Sequence, residues 1–216
     1  MIVTIDGPAG AGKSSIARRL AERIGFQFLD TGAMYRAVAL AALRKGLGAG
    51  QESEIARLAE RLDMEMAHER VFLDGEDVSA AIRTSEVSAA VYLAAENVAV
   101  RRQMVDLQRQ IAASRDTVTE GRDQGTVAFP HAECKIFLTA SPLERARRRH
   151  AELMERGEAA TLAEVLALQE ERDRRDTVRP VGALLKAPDA VEVCTDGLTP
   201  EQVLDRLEEI VRSKQH

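Results

Sequence analysis

The sequence predicts an open α/β fold, a parallel sheet covered by helices with two inserted lobes. Three observations lead there. Short apolar or β-branched runs alternate along the chain with segments of helical period, the pattern of crossover-connected parallel strands. The run Gly7-Pro8-Ala9-Gly10-Ala11-Gly12-Lys13-Ser14 is a glycine-rich turn between a predicted strand and a predicted helix. Two stretches, 46–84 and 144–179, break the alternation and read as insertions.

Strands are expected at 2–6, 26–29, 116–119, 134–138 and 190–194. Helices are expected at 13–25, 32–45, 98–114, 142–156, 161–178 and 199–213, where apolar residues return every three or four positions, as Ile16, Ala17, Leu20 and Ile24 do. The first insertion holds Gly46-Leu47-Gly48, a helical stretch, two alternating segments (Met64-Glu65-Met66 and Val71-Phe72-Leu73) and the turn Asp74-Gly75, so a small β-containing lobe is expected. The second reads as two charged helices joined at Gly157. Two lobes on one sheet suit a protein that closes over a pair of substrates.

At 216 residues, 45% apolar and 30% charged, the chain is a globular protein able to bury a full core. Its apolar runs are too short to cross a bilayer, and the N-terminus enters a strand with no charged-then-apolar leader; a cytoplasmic location without membrane partners is expected. Cys134 and Cys194 both fall in predicted core strands and are expected to act as small hydrophobes. A net charge of −5 argues against a general nucleic-acid surface. Of 30 basic residues 25 are arginine, a skew that genomic base composition also produces, so individual arginines are weighed by position. The four histidines, His68, His131, His150 and His216, are expected at the surface.

The Gly7–Ser14 turn is built to hold a polyphosphate. Its glycines permit dihedrals that aim successive N–H groups inward, and the helix beginning near Lys13 adds unpaired N–H groups and its positive dipole end. Lys13 is placed to reach the β- and γ-phosphates of ATP or GTP, and the Ser14 hydroxyl to ligate Mg²⁺.

Two stretches mark an acceptor side. Asp30-Thr31-Gly32-Ala33-Met34-Tyr35-Arg36 starts a helix; an Asp/Thr cap is ordinary helix chemistry, yet the same hydroxyl and N–H groups with Arg36 one turn in also make an anion site. Glu120-Gly121-Arg122-Asp123-Gln124-Gly125-Thr126 directly follows the third strand, at the carboxyl edge where open sheets bind ligands. An aspartate there can accept from the exocyclic amine of cytosine, and an arginine can donate to a carbonyl or a phosphate. In the charged lobe nine arginines of 145–179 face eight acids, many at helical spacing, which describes a solvated salt-laced hairpin. Arg172, Asp176 and Arg179, at i, i+4 and i+7, nonetheless share one face just before Pro180.

Together IDGPAGAGKSS, LDTGAMYR, DGEDVS with IRTSEVS, EGRDQGTVAFP, KIFLTASPLERARRR and ERDRRD-x-x-R resemble the bacterial cytidylate kinase family from residue 2 to about 194. The resemblance implies transfer of phosphate from ATP, with Mg²⁺, to CMP and dCMP in pyrimidine nucleotide metabolism, by a monomer on the P-loop nucleoside monophosphate kinase fold with a five-stranded parallel sheet. Its domain plan is core at 1–30, 98–143 and 183–216, an acceptor-binding lobe at 31–97 and a lid at 144–182. It implies ATP binding by Gly7, Pro8, Ala9, Gly10, Ala11, Gly12, Lys13, Ser14 and Ser15, with Arg145, Arg148 and Arg149 on the ATP side of the lid. CMP falls to Thr31, Arg36, Tyr92, Arg101, Arg122, Asp123, Arg172, Asp176 and Arg179. Among these, Arg36, Arg122 and Arg179 hold the acceptor phosphate, Arg101 and Asp123 the cytosine edge, and Asp176 the sugar hydroxyls; Lys13, Arg122, Arg179 and Arg148 attend the transferring group.

Three positions depart from the family pattern. Tyr92 stands where a serine commonly touches the base, on the helix after Arg83-Thr84; Gln124 replaces an apolar residue, and Ser15 a threonine. The nearest alternative is a kinase of another small acceptor (UMP, dTMP or shikimate), and a more distant one is a nucleotide-binding switch, which needs no Arg36/Arg122/Arg179 set.

Overall fold

A computed structural model of the protein describes residues 1–67, 70–155 and 157–215. The chain divides into two units, Met1–Phe28 with Arg115–His216, and Leu29–Ser114, the first boundary falling inside a strand. The elements of the first unit, in order, are β1 (Ile2–Asp6), α1 (Lys13–Ile24) and β2 (Gln27–Asp30), whose last two residues begin the second unit. The second unit continues through α2 (Thr31–Arg44), α3 (Glu52–Ala59), β3 (Met64–Ala67), β4 (Arg70–Leu73), β5 (Glu76–Asp77), α4 (Ser85–Ala90), α5 (Tyr92–Ala95) and α6 (Val98–Ala112). Back in the first follow β6 (Thr117–Gly121), β7 (Cys134–Thr139), α7 (Pro142–Glu155), α8 (Leu162–Val178), β8 (Val191–Cys194) and α9 (Pro200–Arg212).

The five-stranded sheet runs β2-β6-β1-β7-β8. β1 is central, and its Val3, Thr4 and Ile5 have no solvent exposure, as expected of a strand covered on both faces. It pairs in parallel with β6, Asp6 opposite Gly121, and with β7, Asp6 opposite Phe137. That register ends β1 and β6 together at the carboxyl edge, so the loops after them leave side by side. Ile16 and Leu20 of α1, with Leu204 and Leu207 of α9, close this core over Ile5, Val118 and Leu138.

Gly7 follows β1 where the chain runs hard against β7. A Cβ there would lie 1.9 Å from the Leu138 carbonyl oxygen, a backbone atom that cannot step aside. Gly7→Ala is expected to cost about 3 kcal/mol by overpacking. For a chain of this size that is a fall in Tm of roughly 10 °C by thermal denaturation.

In the second unit α2 is the hub. Ten of its residues are buried, and α3, α4, α5 and α6 pack around it. This explains why α6, placed with the core by the resemblance, groups here with 29–114. The insertion is a three-stranded antiparallel sheet, β3-β4-β5. Asp74 and Gly75, with φ of 50° and 81°, make the turn from β4 to β5. β5 has no apolar residue to announce it.

Two expectations are corrected. Cys134 is buried, and burial pushes its thiol up to about 11, but Cys194 is exposed: β8 is an edge strand whose alternation turns Val193 inward and Cys194 out. Neither forms a disulfide. His131 is exposed, whereas His150 is half-buried because its Nε2 lies 3.0 Å from the Ala160 carbonyl, closing the α7–α8 hairpin. His68 and His216 lie outside the described residues. Among the described residues no helix is long and apolar enough to cross a membrane.

Candidate active site

The turn from β1 to α1 adopts the conformation that its glycines were expected to permit. Gly10 and Gly12 have φ of 78° and 86°, and Gly12 is the left-handed N-cap from which α1 starts with no side-chain cap, leaving its first N–H groups directed into the loop. Lys13 is buried, and its Nζ donates to the Pro8 carbonyl at 2.7 Å. Burial lowers its pKa to about 7; Arg122 and Arg172 push the same way, against Glu120 and Asp6. The lysine therefore feels two of the arginines expected on the acceptor side. Ser14 Oγ donates to Glu120 Oε1 at 2.9 Å, and Ser15 Oγ to the Gly12 carbonyl at 3.0 Å.

A hydroxyl beside a carboxylate at a phosphate-binding helix start is a hard-oxygen donor set. It fits Mg²⁺, which takes one or two protein oxygens and completes its shell from phosphate and water. Glu120, the second oxygen of that set, has no sequence signal beyond its place at the end of β6.

In the same unit, Asp176 joins two of the cations expected to meet the acceptor. Its Oδ2 accepts from Arg122 Nε at 2.8 Å and its Oδ1 from Arg179 Nη2. Burial raises the carboxyl's pKa, but Arg122, Arg179 and Arg172 outweigh it and hold Asp176 below the usual range. The helical face is less uniform than its spacing implied. Arg172 is exposed, and Arg179 is the C-cap of α8, with φ −59° and ψ 132°, because the following proline disfavours helical backbone. Buried Asp123 opens the π-helical segment Gln124–Ala128, its carbonyl accepting from Val127 N at 2.8 Å and Ala128 N at 3.1 Å. Gln124 is wholly buried, its Oε1 taking the Thr119 hydroxyl at 3.0 Å; that polar partner accounts for its place in an otherwise apolar position.

The three arginines expected in a lid, Arg145, Arg148 and Arg149, differ from one another. Arg145 is 4% exposed and donates to the Ala9 carbonyl at 2.9 Å and the Ala140 carbonyl at 3.1 Å, while pairing with Asp173 at 2.6 Å. Asp173 Oδ1 also accepts from Ala9 N at 3.4 Å. Arg145 and Asp173 thus grip both polar groups of one phosphate-loop residue, which makes Arg145 a brace of that loop. A Cβ on Gly10 would meet Gln169 Nε2 at 2.7 Å and Arg145 Cβ at 3.2 Å, so the loop also needs glycine where these helices cross it. Arg148 reaches Glu144 and the Thr195 hydroxyl and carbonyl, at 3.1, 2.9 and 3.1 Å. Arg149 pairs at the surface with Glu152. Asp173 and Gln169 escaped the sequence reading because their partners are more than 20 positions away.

The second unit holds the remaining expected residues. Asp30 caps α2, its Oδ1 accepting from Ala33 N at 2.8 Å, and Arg36 Nη2 comes within 3.5 Å of Asp30 Oδ2. Arg36 Nε is buried without a hydrogen-bond partner, a donor available to an anion. Thr31 is buried at the first position of α2. Arg101 is buried, 5.3 Å over the Tyr35 ring, and donates to the Ala95 carbonyl at 3.2 Å. Tyr92 is 37% exposed and opens α5 instead of lying on α4, since the helix breaks at Val91.

The comparisons agree with the motifs. The Cytidylate kinase family model matches residues 3–213. A cytidylate kinase of Rhodopirellula baltica is 49% identical over 212 residues, covering 98% of this chain and 93% of that protein. One of Desulfitobacterium hafniense is 47% identical over 215 residues, with coverage of 98% and 93%. A solved structure, an uncharacterized protein from Eubacterium ventriosum, shares the fold at a TM-score of 0.54 and 12% identity, covering 99% of each chain. With a phosphate loop, an arginine-flanked carboxylate beside it and a family match over nearly its whole length, the chain belongs to the cytidylate kinase family and is a nucleoside monophosphate kinase.

Proposed function

We propose that the enzyme transfers the γ-phosphoryl group of ATP to the phosphate of CMP, and of dCMP, in the cytoplasm and as a monomer. The observation that carries this reading is the pair of arginines on one carboxylate: Arg122 and Arg179 both donate to Asp176 in the unit that also holds the Lys13 loop, so cations suited to an acceptor phosphate stand in the same unit as the donor loop. A nucleotide switch has no use for that arrangement.

Lys13, the loop N–H groups and the α1 N-terminus bind the donor phosphates, and Arg122 and Arg179 the acceptor phosphate. Bound with ATP at Ser14 and Glu120, Mg²⁺ supplies further positive charge to the phosphate oxygens. No general base is required, because a phosphate oxygen of CMP is already an anion; alignment and positive charge do the work. Arg148 and Arg149 serve the ATP side of the lid, with α7 and α8 excluding water. Within the second unit, Thr31 and Arg36 are the residues we assign to a phosphate, Arg36 offering a buried Nε without a hydrogen-bond partner, and Arg101 and Tyr92 those we assign to a base. Asp123 accepts from the cytosine amine, and Asp176 meets the sugar hydroxyls.

The test is ADP release from Mg-ATP with CMP, dCMP, UMP, AMP, dTMP and shikimate. CMP and dCMP are expected to be good acceptors. UMP, which turns a carbonyl toward Asp123, is expected to be poorer in kcat/KM by roughly 100-fold or more. Turnover of another acceptor with CMP and dCMP inert would overturn the reading.

A further inference from the structure

Asp6 ends β1, one residue before the phosphate loop, yet its hydrogen bonds go to the neighbouring loop. Its Oδ1 accepts from Gln124 N at 2.8 Å and its Oδ2 from Gly125 N at 2.7 Å. These are the first two N–H groups of the π-helical segment that directly follows Arg122 and Asp123, and Asp123 does not cap that segment with its own side chain. The first N–H groups of any helical turn lack intrahelical partners. Asp6 therefore caps the acceptor loop from another strand.

The fit around that cap is close. A Cβ on Gly125 would lie 3.0 Å from Thr4 Oγ1, 3.2 Å from Lys135 Cδ and 3.4 Å from Asp6 Oδ2, so the loop sits directly on β1. Thr4 Oγ1 is buried there with no hydrogen-bond partner. The Thr119–Gln124 contact ties the same loop to β6. Asp6 is 4% exposed, and burying a carboxylate is an expensive way to cap a turn. What it provides when ionised is two charge-assisted bonds to successive N–H groups, stiffer than a neutral cap supplies; those bonds oppose the burial that pushes its carboxyl up to about 7.

We propose that Asp6 is a positioning residue for the acceptor site, fixing the loop that carries Arg122 and Asp123 to the strand that carries the phosphate loop, so that acceptor and donor phosphates meet in line. The proposal rests on the reading of Arg122 and Asp123 as acceptor-binding residues. Asp6 itself touches neither substrate. Asp6 also favours the charge of Lys13, more weakly than Glu120 does, so its substitution disturbs the acceptor more than the donor, a split that general destabilisation does not produce.

The test is Asp6→Asn in the full chain, with CMP and ATP varied separately and amide exchange followed at Gln124 and Gly125. Asparagine keeps the shape but turns an N–H toward one of the two amides. KM for CMP is expected to rise roughly 10-fold, the worth of one charge-assisted hydrogen bond. KM for ATP should stay within about twofold, and exchange at the two amides should quicken by roughly 10-fold. Unchanged KM for CMP, equal rises in both KM values, or unchanged exchange would overturn the proposal. Should the variant fail to fold, Gly125→Ala presses the loop off Asp6 from the other side and is expected to give the same selective rise in KM for CMP. Thr4→Ala, which removes the nearest atom at no cost in hydrogen bonds, should relieve it; a Gly125→Ala enzyme without that selectivity would overturn the proposal equally. Wild-type enzyme inert toward CMP would instead refute the functional reading, while the exchange measurement still judges the cap.

Discussion

Lys13→Ala is expected to lower kcat about a thousand-fold, the scale seen when a preorganised donor to transition-state charge is removed. The fold should survive the change, because Lys13 is held in the structure against its electrostatic interest. Burial, then Arg122 and Arg172, lower its pKa to about 7, well below the 10.5 of a free lysine. Between those two values the folded protein binds fewer protons than the unfolded chain. Stability is therefore lost as pH falls through that window, and the whole cost is present below about 7. Alanine abolishes the cost. The Tm of the variant relative to wild type should accordingly be more favourable at pH 7 than at pH 9, while turnover stays low at both. Near-normal turnover would refute the phosphate-loop role of Lys13. A collapse in Tm at pH 7 would show instead that the lysine stabilises the fold.

Asp176→Ala is expected to damage stability and acceptor binding together. It strips the shared partner from Arg122 and Arg179, whose side chains are 17% and 9% exposed, leaving two guanidinium groups in a site too dry to hydrate them. Breaking a buried pair from one side costs about 3 kcal/mol, or roughly 6–12 °C in Tm for a chain of this length. The pH dependence has the opposite sign to that of Lys13. Asp176 titrates below the usual 3.8, so its contribution is fully present above that value and is lost as pH falls through its lowered pKa. The gap in Tm between variant and wild type should hold from pH 5 upward and narrow below pH 3.8. KM for CMP should rise roughly 10-fold with the loss of the proposed sugar contact, measured at a temperature where both proteins are folded. A variant as stable as wild type would refute the buried triad.

Local signals carried much of this into the sequence. The Gly7–Ser14 turn was legible because a phosphate loop is made by neighbours in the chain: glycine dihedrals, a strand before and a helix after. The strands β1, β6 and β7 were legible because burial on both faces demands unbroken apolar or β-branched runs. β5 was not, since Glu76 and Asp77 pair through their backbone and show no apolar pattern. Cys194 misled for a related reason: an apolar run announces a strand, but whether that strand lies at the edge depends on what pairs beside it.

The arginines mark the division most sharply. Their positions in the charged lobe are plain in the sequence, and so is the abundance of acids around them. Which arginine meets a substrate, which braces a loop and which lies in solvent depends on contacts between residues far apart in the chain. Arg145, expected on the ATP side of the lid, holds the Ala9 carbonyl with Asp173 beside it, a pair of contacts that no spacing along the chain announces. Asp6, by its sequence only the end of a strand, caps a loop 118 positions away.

By itself, then, the sequence determined that this protein handles a polyphosphate, the parallel α/β layering that presents the site, and the family to which its motifs belong. Each of those rests on dihedral preference, periodicity or the order of residues within a short stretch. Only the tertiary structure decided how charge is shared out in the site: a lysine driven toward neutrality by burial and by arginines from two other segments, an aspartate kept ionised between two guanidinium groups, and a buried carboxylate spent on two backbone N–H groups. Electrostatic energies in a dry interior are set by distances of a few ångströms between elements, and no spacing along the chain encodes those distances.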